Sequence, residues 1–119
     1  MDTRVADNPA KSRYEIFTTA EPAPAGPGGQ LAPPIRATEL AGFAEYFVSG
    51  DEVAFTHTEI DPRFGGQGLG GRLARAALDA VRERGLAVLP YCSFIRDWIA
   101  KHPEYVDLVP EDRRDAFKL

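Results

Sequence analysis

The sequence has 119 residues, of which 44% are hydrophobic and 27% are charged. This length suits one domain and is sufficient to bury a core without disulfides or metals. The net charge of -4 argues against nucleic acid as a partner, because such binding needs a broad basic face. The single cysteine, Cys92, excludes an internal disulfide and a zinc site built on paired cysteines. No membrane-spanning run and no secretory signal occur, so we expect a cytoplasmic protein without metal or membrane partner.

The first half of the chain predicts antiparallel strands joined by loops. Residues 1–12 are polar, which predicts a flexible N-terminal tail. Residues 21–34 hold half of the chain's ten prolines, so we expect a loop inserted between two strands. Gly50 lies in a short polar segment that suits a hairpin turn. The predicted strands, rich in aromatic and β-branched residues, are 13–19, 41–48 and 53–60.

The second half predicts a helix, a strand and a second helix. Apolar residues recur at helical spacing from Leu69 onwards, and Gly85 marks the end of that helix. The apolar run 86–89 predicts a buried strand parallel to the strand at 53–60. Ser93 predicts the N-cap of the second helix. The residues of this helix expected to face inward are Phe94, Ile95, Trp98 and Ile99.

These elements predict an α+β fold with a layered, mixed and mostly antiparallel sheet. A strand, a glycine turn, a helix, a strand and a second helix follow one another in its second half. We expect the domain to occupy residues 13–109, with the insertion at 21–34 inside it and a C-terminal tail at 110–119.

The most informative segment is the turn before the first helix, where five glycines lie between residues 65 and 71. Glycine permits positive φ and close approach to the backbone, and N–H groups at a helix start favour an anion. The P-loop pattern fails, because Arg72 stands where a Walker sequence has lysine. The dinucleotide pattern occurs at Gly66, Gly68 and Gly71, but no acidic residue ends the next strand to hold a ribose. Arg63, Arg72 and Arg75 supply local positive charge.

Several blocks of the sequence resemble the GNAT superfamily of N-acetyltransferases. Residues 65–70, Gly-Gly-Gln-Gly-Leu-Gly, are similar to its acetyl-CoA signature, although the first position is Gly65 where the family commonly has Arg or Gln. The blocks 55–62, 88–95 and 101–105 resemble small stand-alone members of the family. The tyrosine that protonates the leaving thiolate in many larger members has no clear equivalent. The resemblance implies a GNAT-like fold with splayed central strands that leave a slot for acetyl-CoA.

The resemblance also implies that backbone groups hold acetyl-CoA, the co-substrate. Main-chain groups near Glu59, Ile60 and Asp61 would pair with the pantetheine arm, and N–H groups of the turn would bind the pyrophosphate. Arg72 would meet the outer phosphates or lie on a solvated helix face. The implied cofactor-binding residues are Glu59, Ile60, Asp61, Gly65, Gly66, Gln67, Gly68, Leu69, Gly70 and Arg72.

His57 and Cys92 are the candidate catalytic residues, since the family has suspected catalytic residues at both positions. Acetyl transfer to an amine needs an acceptor for the amine proton, and histidine can take a proton near neutral pH. Cys92 stands at the opening of a predicted helix, a position that favours a thiolate. It would hold the acetyl group transiently, line the thioester pocket or pack as a small hydrophobe. We prefer direct transfer with His57 as the base.

The function expected from these residues is acetyl-CoA-dependent N-acetylation of an amine. The acceptor is a protein lysine, a protein N-terminus or a small amine, and the sequence does not choose among them. An alternative is a non-catalytic module that binds coenzyme A or acyl-CoA. A third interpretation makes the proline-rich segment an adaptor element on an inert domain. Acyl-chain preference and oligomeric state stay open.

Overall fold

The computed structural model describes residues 3–18, 39–66 and 68–119. In this part of the chain, five strands, two α-helices and three 3-10 turns follow one another. The strands are β1 (Thr3–Asn8), β2 (Arg13–Thr18), β3 (Glu39–Ser49), β4 (Glu52–Ile60) and β5 (Ala87–Pro90). The helices are α1 (Leu69–Glu83) and α2 (Ser93–Lys101), and the 3-10 turns are Pro62–Phe64, Pro103–Leu108 and Glu111–Arg113. The predicted insertion at 21–34 lies outside the described residues.

The five strands form one mixed sheet in the order β1-β2-β3-β4-β5. The first four are antiparallel neighbours, whereas β5 lies parallel to β4. Pairing of β4 with β5 ends where Phe55 meets Pro90, although β4 continues to Ile60. The predicted α+β class, with a mostly antiparallel sheet and central strands that part, is confirmed.

The two faces of the sheet differ, and α1 defines what we call the helix face. Tyr14, Tyr46 and Phe55 lie on it, their rings 5.1 to 6.4 Å apart, and Tyr14 bonds Arg84 just after α1. Side chains alternate along a strand, so their neighbours in sequence lie on the opposite face, called here the far face. The side chains of α1 buried in the core are Leu69, Leu73, Ala74, Ala77, Leu78 and Val81.

A β-bulge interrupts the pairing of β3 with β4. Glu45 pairs with His57 and Tyr46 pairs with Phe55, so Thr56 is the extra residue. Phe55 therefore shares the helix face with Tyr46, whereas His57 lies with Glu45 on the far face. A bulge also bends its strand, and this bulge occurs where β4 leaves β5.

The predicted flexible N-terminal tail was wrong over the described residues. Thr3–Asn8 forms an edge strand paired with β2, and its Asp7 accepts a hydrogen bond from the Tyr46 hydroxyl. A polar sequence is compatible with an edge strand, because water satisfies its free edge. At the other end Phe117 is buried, with its ring 5.2 Å from that of Tyr91. The last ten residues are thus docked on the core.

Two details of α2 also differ from the prediction. The helix begins at Ser93 with Cys92 as its N-cap, because the Arg96 N–H bonds the Cys92 carbonyl at 3.0 Å. Of the four residues expected inside, Ile95 and Ile99 are fully buried, whereas Phe94 is 39% exposed. The helix end at Gly85, where φ is +70°, follows the prediction. Neither helix in the described part is long and apolar enough to cross a membrane.

Candidate active site

The glycine turn begins with a capped 3-10 turn directly after β4. The Asp61 carboxylate accepts from the Arg63 N–H at 2.9 Å, and Pro62 starts the turn. Gly66 and Gly68 then adopt φ of +78° and +76°, conformations that favour glycine. A Cβ added at either glycine would meet no described atom within 4 Å. These two glycines thus leave space against the backbone, while Gln67 lies outside the described residues.

Gly70 and Gly71 serve a different purpose, which is to let α2 approach α1. A Cβ at Gly70 would lie 2.7 Å from Cζ of Phe94. One at Gly71 would lie 3.4 Å from Nε1 of Trp98. The five glycines therefore divide into a conformational pair, a packing pair and Gly65, whose φ of -63° needs no glycine.

The N-terminus of α1 is arranged to receive an anion. Gly68 is its N-cap without a side-chain cap, and the first turn carries no acidic residue. The first intrahelical bond runs from Arg72 N–H to the Gly68 carbonyl at 3.2 Å. The N–H groups of Leu69, Gly70 and Gly71 precede that bond and have no intrahelical acceptor. They carry the positive end of the helix dipole.

The three arginines near the turn are in different electrostatic states. Arg63 bonds Asp61 through Nε at 3.2 Å and Nη2 at 3.0 Å, and it lies 3.8 Å from Glu39. Hydrogen bonds from the side chain and backbone of Arg63 hold the pKa of Asp61 below its ordinary value. Arg75 contacts the Tyr105 hydroxyl at 3.1 Å. Within the described part of the chain Arg72 bonds only the neutral hydroxyl of Thr3, at 3.4 Å, so its charge is the most available of the three to a ligand.

The unpaired edge of β4 and the start of α2 form what we call the slot. The Cys92 N–H bonds the Phe55 carbonyl at 2.8 Å, and after that point no described residue pairs with β4 as a strand on this side. A cleft of about 310 Å³ adjoins the end of β4. Its lining residues are Leu40, Ala41, Gly42, Phe43, Glu59, Ile60, Asp61 and Pro62.

The main-chain groups at two of the predicted cofactor contacts, Glu59 and Asp61, face β3. The Asp61 N–H donates to the Ala41 carbonyl at 2.7 Å, towards β3 and away from the slot. Main-chain groups alternate in direction along a strand, so those of Glu59 also face β3. A Cβ at Gly42 in β3 would meet the Glu59 carbonyl oxygen at 2.5 Å, in agreement with that direction. The main-chain groups of Thr58 and Ile60 face the slot instead.

His57 and Cys92 lie on opposite faces of β4. His57 is on the far face, half exposed, with its ring 6.1 Å from that of Phe43. Its Nε2 lies 3.2 Å from Oε2 of Glu59, on the same face two residues along. Cys92 is 7% exposed on the helix face, and its thiol donates to the Thr58 hydroxyl at 3.2 Å. The structure does not bring the two candidates together, so His57 is not placed to deprotonate Cys92.

Sequence reasoning missed two residues of this site. Thr58 contacts Cys92 with its side chain and faces the slot with its backbone, and the period of the strand was the only available signal. Phe94 covers Gly70, and the adjacent glycines could have indicated a close aromatic neighbour. Glu59 was predicted as a cofactor contact through its backbone, and the structure adds a contact of its carboxylate with His57. Within the described ranges no group of three or more His, Cys, Asp or Glu could hold a metal ion.

The comparison with known families gives the class of this protein, the N-acetyltransferases. The profile of the family described as GCN5-related N-acetyl-transferase matches residues 35–108, which is more than half of the chain. The chain therefore belongs to the GCN5-related N-acetyltransferase (GNAT) family, whose reaction is acetyl transfer. The predicted family and acetyltransferase class are confirmed.

One solved structure agrees with this fold, and a second is similar over part of its length. A GCN5-like protein from Staphylococcus aureus, determined by NMR, is 22% identical with a TM-score of 0.58. The match covers 90% of this chain and 87% of that one. The ribosomal-protein-S18-alanine N-acetyltransferase of Escherichia coli is also 22% identical, with a TM-score of 0.46. That match covers 64% of this chain but only 38% of the E. coli chain. A search of curated protein sequences gave no match.

Proposed function

We propose that this protein transfers the acetyl group of acetyl-CoA to an amine, either a protein lysine or N-terminus or a small amine. The observation that carries the proposal is the glycine turn at the uncapped start of α1, directly beside the slot. An anion at that turn and an extended arm along β4 are what acetyl-CoA requires. The family supplies the reaction class.

Coenzyme A would be held mainly by the backbone. N–H groups of residues 66–70 would receive the pyrophosphate, and Arg72 would meet an outer phosphate. Thr58 and Ile60 would pair with the pantetheine amides in place of a strand partner. Gly65, Gln67 and Leu69 belong to the proposed turn site. The main-chain groups of Glu59 and Asp61 face β3, so we do not propose them as contacts of the pantetheine arm.

Direct transfer fits the separation of His57 from Cys92. The amine nitrogen attacks the thioester carbonyl, the carbon–sulfur bond breaks, and its electron pair leaves with sulfur. His57 takes the proton from the amine. Cys92, buried against Thr58, would line the slot near the thioester rather than carry the acetyl group.

The test measures thiol release from acetyl-CoA with a panel of amines, together with coenzyme A binding by calorimetry. We expect His57→Ala to lower kcat about 100-fold or more, the usual effect of removing a general base, with little change in coenzyme A affinity. His102→Ala is the control. His102 lies at the end of α2 rather than on β4, and its Nδ1 contacts the Trp98 carbonyl at 2.8 Å. Equal activity of His57→Ala and wild type would refute His57 as base, and an acetyl-Cys92 adduct in the mass spectrum would refute direct transfer.

A non-catalytic coenzyme A module is the second candidate, and one observation favours it. Tyr105, the tyrosine closest in sequence to α2 on its C-terminal side, is buried, donates to Asp79 at 2.7 Å and accepts from Arg75. Its hydroxyl is thus engaged and is a poor acid for the thiolate. Coenzyme A binding without turnover of any amine would support this candidate. A cytoplasmic location, without nucleic acid or membrane partners, stays our prediction for either case.

A further inference from the structure

We propose that Glu59 is a positioning residue for His57, and that Nδ1 of His57 is the atom that takes the proton from the acceptor amine. The proposal rests on the proposed function, because it assigns a role within acetyl transfer. It starts from the contact of Nε2 of His57 with Oε2 of Glu59 at 3.2 Å.

The chemistry of the two groups determines which nitrogen of His57 carries the hydrogen in this contact. An ionised carboxylate has no hydrogen to donate, so Nε2 must carry the N–H. A neutral imidazole then has its lone pair on the other nitrogen, Nδ1. Both side chains are about half exposed, so water competes with the contact and the carboxylate biases the tautomer towards Nε2–H.

Strand geometry keeps the two side chains together. His57 and Glu59 are two residues apart, and side chains at that spacing share a face. The partners across β3 are Glu45 for His57 and Phe43 for Glu59. The Phe43 ring lies 6.1 Å from the His57 ring and is covered by the Arg13 guanidinium at 4.4 Å. Glu59 is the carboxylate in contact with the imidazole, whereas Glu45 is a cross-strand neighbour of the same charge.

The reaction step balances with these two residues. The amine nitrogen bonds the thioester carbon, the electron pair of the carbon–sulfur bond goes to sulfur, and one nitrogen-bound proton passes to Nδ1. His57 becomes an imidazolium that still donates Nε2–H to Glu59, whose negative charge stabilises it. The proton then leaves to water or to the coenzyme A thiolate, and His57 returns to its first tautomer.

The first experiment uses ¹⁵N-histidine-labelled protein and reads the tautomer of each ring by long-range ¹H–¹⁵N correlation at mildly alkaline pH. We expect the proton of His57 on Nε2. We expect that of His102 on Nδ1, which donates to a carbonyl, so His102 is an internal reference. Glu59→Ala should give a mixture of tautomers at His57 only, whereas Glu59→Gln should keep Nε2–H, since its amide oxygen still accepts. A His57 proton on Nδ1, or no change in Glu59→Ala, would overturn the proposal.

The second experiment compares kinetics with a matched control. Glu59→Ala should lower kcat about two- to fivefold, the usual range for an exposed ionic contact, with the KM for acetyl-CoA unchanged. Glu59→Gln should recover part of the loss. Glu45→Ala removes the same charge without the contact and should leave both kcat and the tautomer unchanged. An equal loss in Glu45→Ala would show a field effect and overturn the positioning role.

The two experiments separate this proposal from the proposed function. Tautomers that respond as described in a protein without turnover would refute the transferase and the proton step, and leave Glu59 orienting His57. Turnover with tautomers that ignore Glu59 would refute the positioning role and leave the transferase intact.

Discussion

Single glycines in the turn have separate physical duties, although the sequence presents them as one cluster. Gly66 and Gly68 adopt left-handed conformations, whereas Gly70 and Gly71 make room for the aromatic rings of α2. The sequence was sufficient to locate the turn and to predict an anion at it, because glycine content and a helix start are local properties. The packing role of Gly70 and Gly71 depends on Phe94 and Trp98, which are more than twenty residues away in sequence. A local sequence pattern therefore does not reveal it.

Gly68→Ala should weaken coenzyme A binding about tenfold or more, because the new Cβ and a shifted backbone would cost at least one hydrogen bond to a charged phosphate. Gly85→Ala is the matched control. Gly85 has φ of +70° at the other end of α1, and a Cβ there also meets no described atom within 4 Å. Each substitution should destabilise the fold by about 1–2 kcal/mol through left-handed strain. Calorimetry should show loss of affinity in Gly68→Ala alone, and an equal loss in both would place the phosphate elsewhere.

At the scale of elements, β4 decides the geometry of the site. Its existence and length were predictable from aromatic and β-branched residues. The bulge at Thr56 was not predictable from the sequence. One extra residue moves every later side chain of the strand to the other face, but it hardly changes the amino-acid composition of the segment. The family resemblance gave both His57 and Cys92 as candidates, and the fold separates them across β4.

Deletion of Thr56 tests what the bulge does. The shortened strand should keep His57 opposite Glu45, but it should be straighter and continue its pairing with β5, which closes the slot. We expect a folded protein whose affinity for acetyl-CoA falls about tenfold or more, the effect of losing backbone hydrogen bonds to the ligand. Thr56→Ala retains the extra residue and should bind as wild type does. Wild-type affinity in the deletion variant, with a native-like amide spectrum, would show that the bulge does not open the slot.

Across the whole molecule, a polar cluster on the helix face joins the edge strand, the sheet and α1 at the end remote from the glycine turn. Tyr46 donates a hydrogen bond to Asp7, and Tyr14 forms one with Arg84. The rings of Tyr14 and Tyr46 lie 5.1 Å apart. Burial raises the pKa of Tyr14, and burial together with the Asp7 bond raises the pKa of Tyr46 strongly. This cluster shows why the N-terminal tail was mispredicted, since its partners are distant in sequence.

Stability should therefore decline in alkali. The tyrosines ionise near pH 10 in the unfolded chain but higher in the native one, so their contribution is complete below about pH 10 and is lost as pH rises further. Tyr46→Phe should cost about 1 kcal/mol at neutral pH, through the lost hydrogen bond, and should flatten the alkaline decline. Denaturant unfolding at several pH values measures both effects. Tyr91→Phe, at a half-exposed tyrosine, is the control, and an unchanged alkaline slope in Tyr46→Phe would refute the assignment.

Cys92 is the only thiol of the chain and is 7% exposed beside Thr58. This thiol can therefore serve as a natural labelling site next to the slot. Because this sulfur is nearly buried beside the slot, a ligand bound there should slow its reaction with a thiol reagent, so the labelling rate should report occupancy of the slot without any added dye. In assays that count liberated coenzyme A by its sulfhydryl, the protein's own background is limited to its single cysteine.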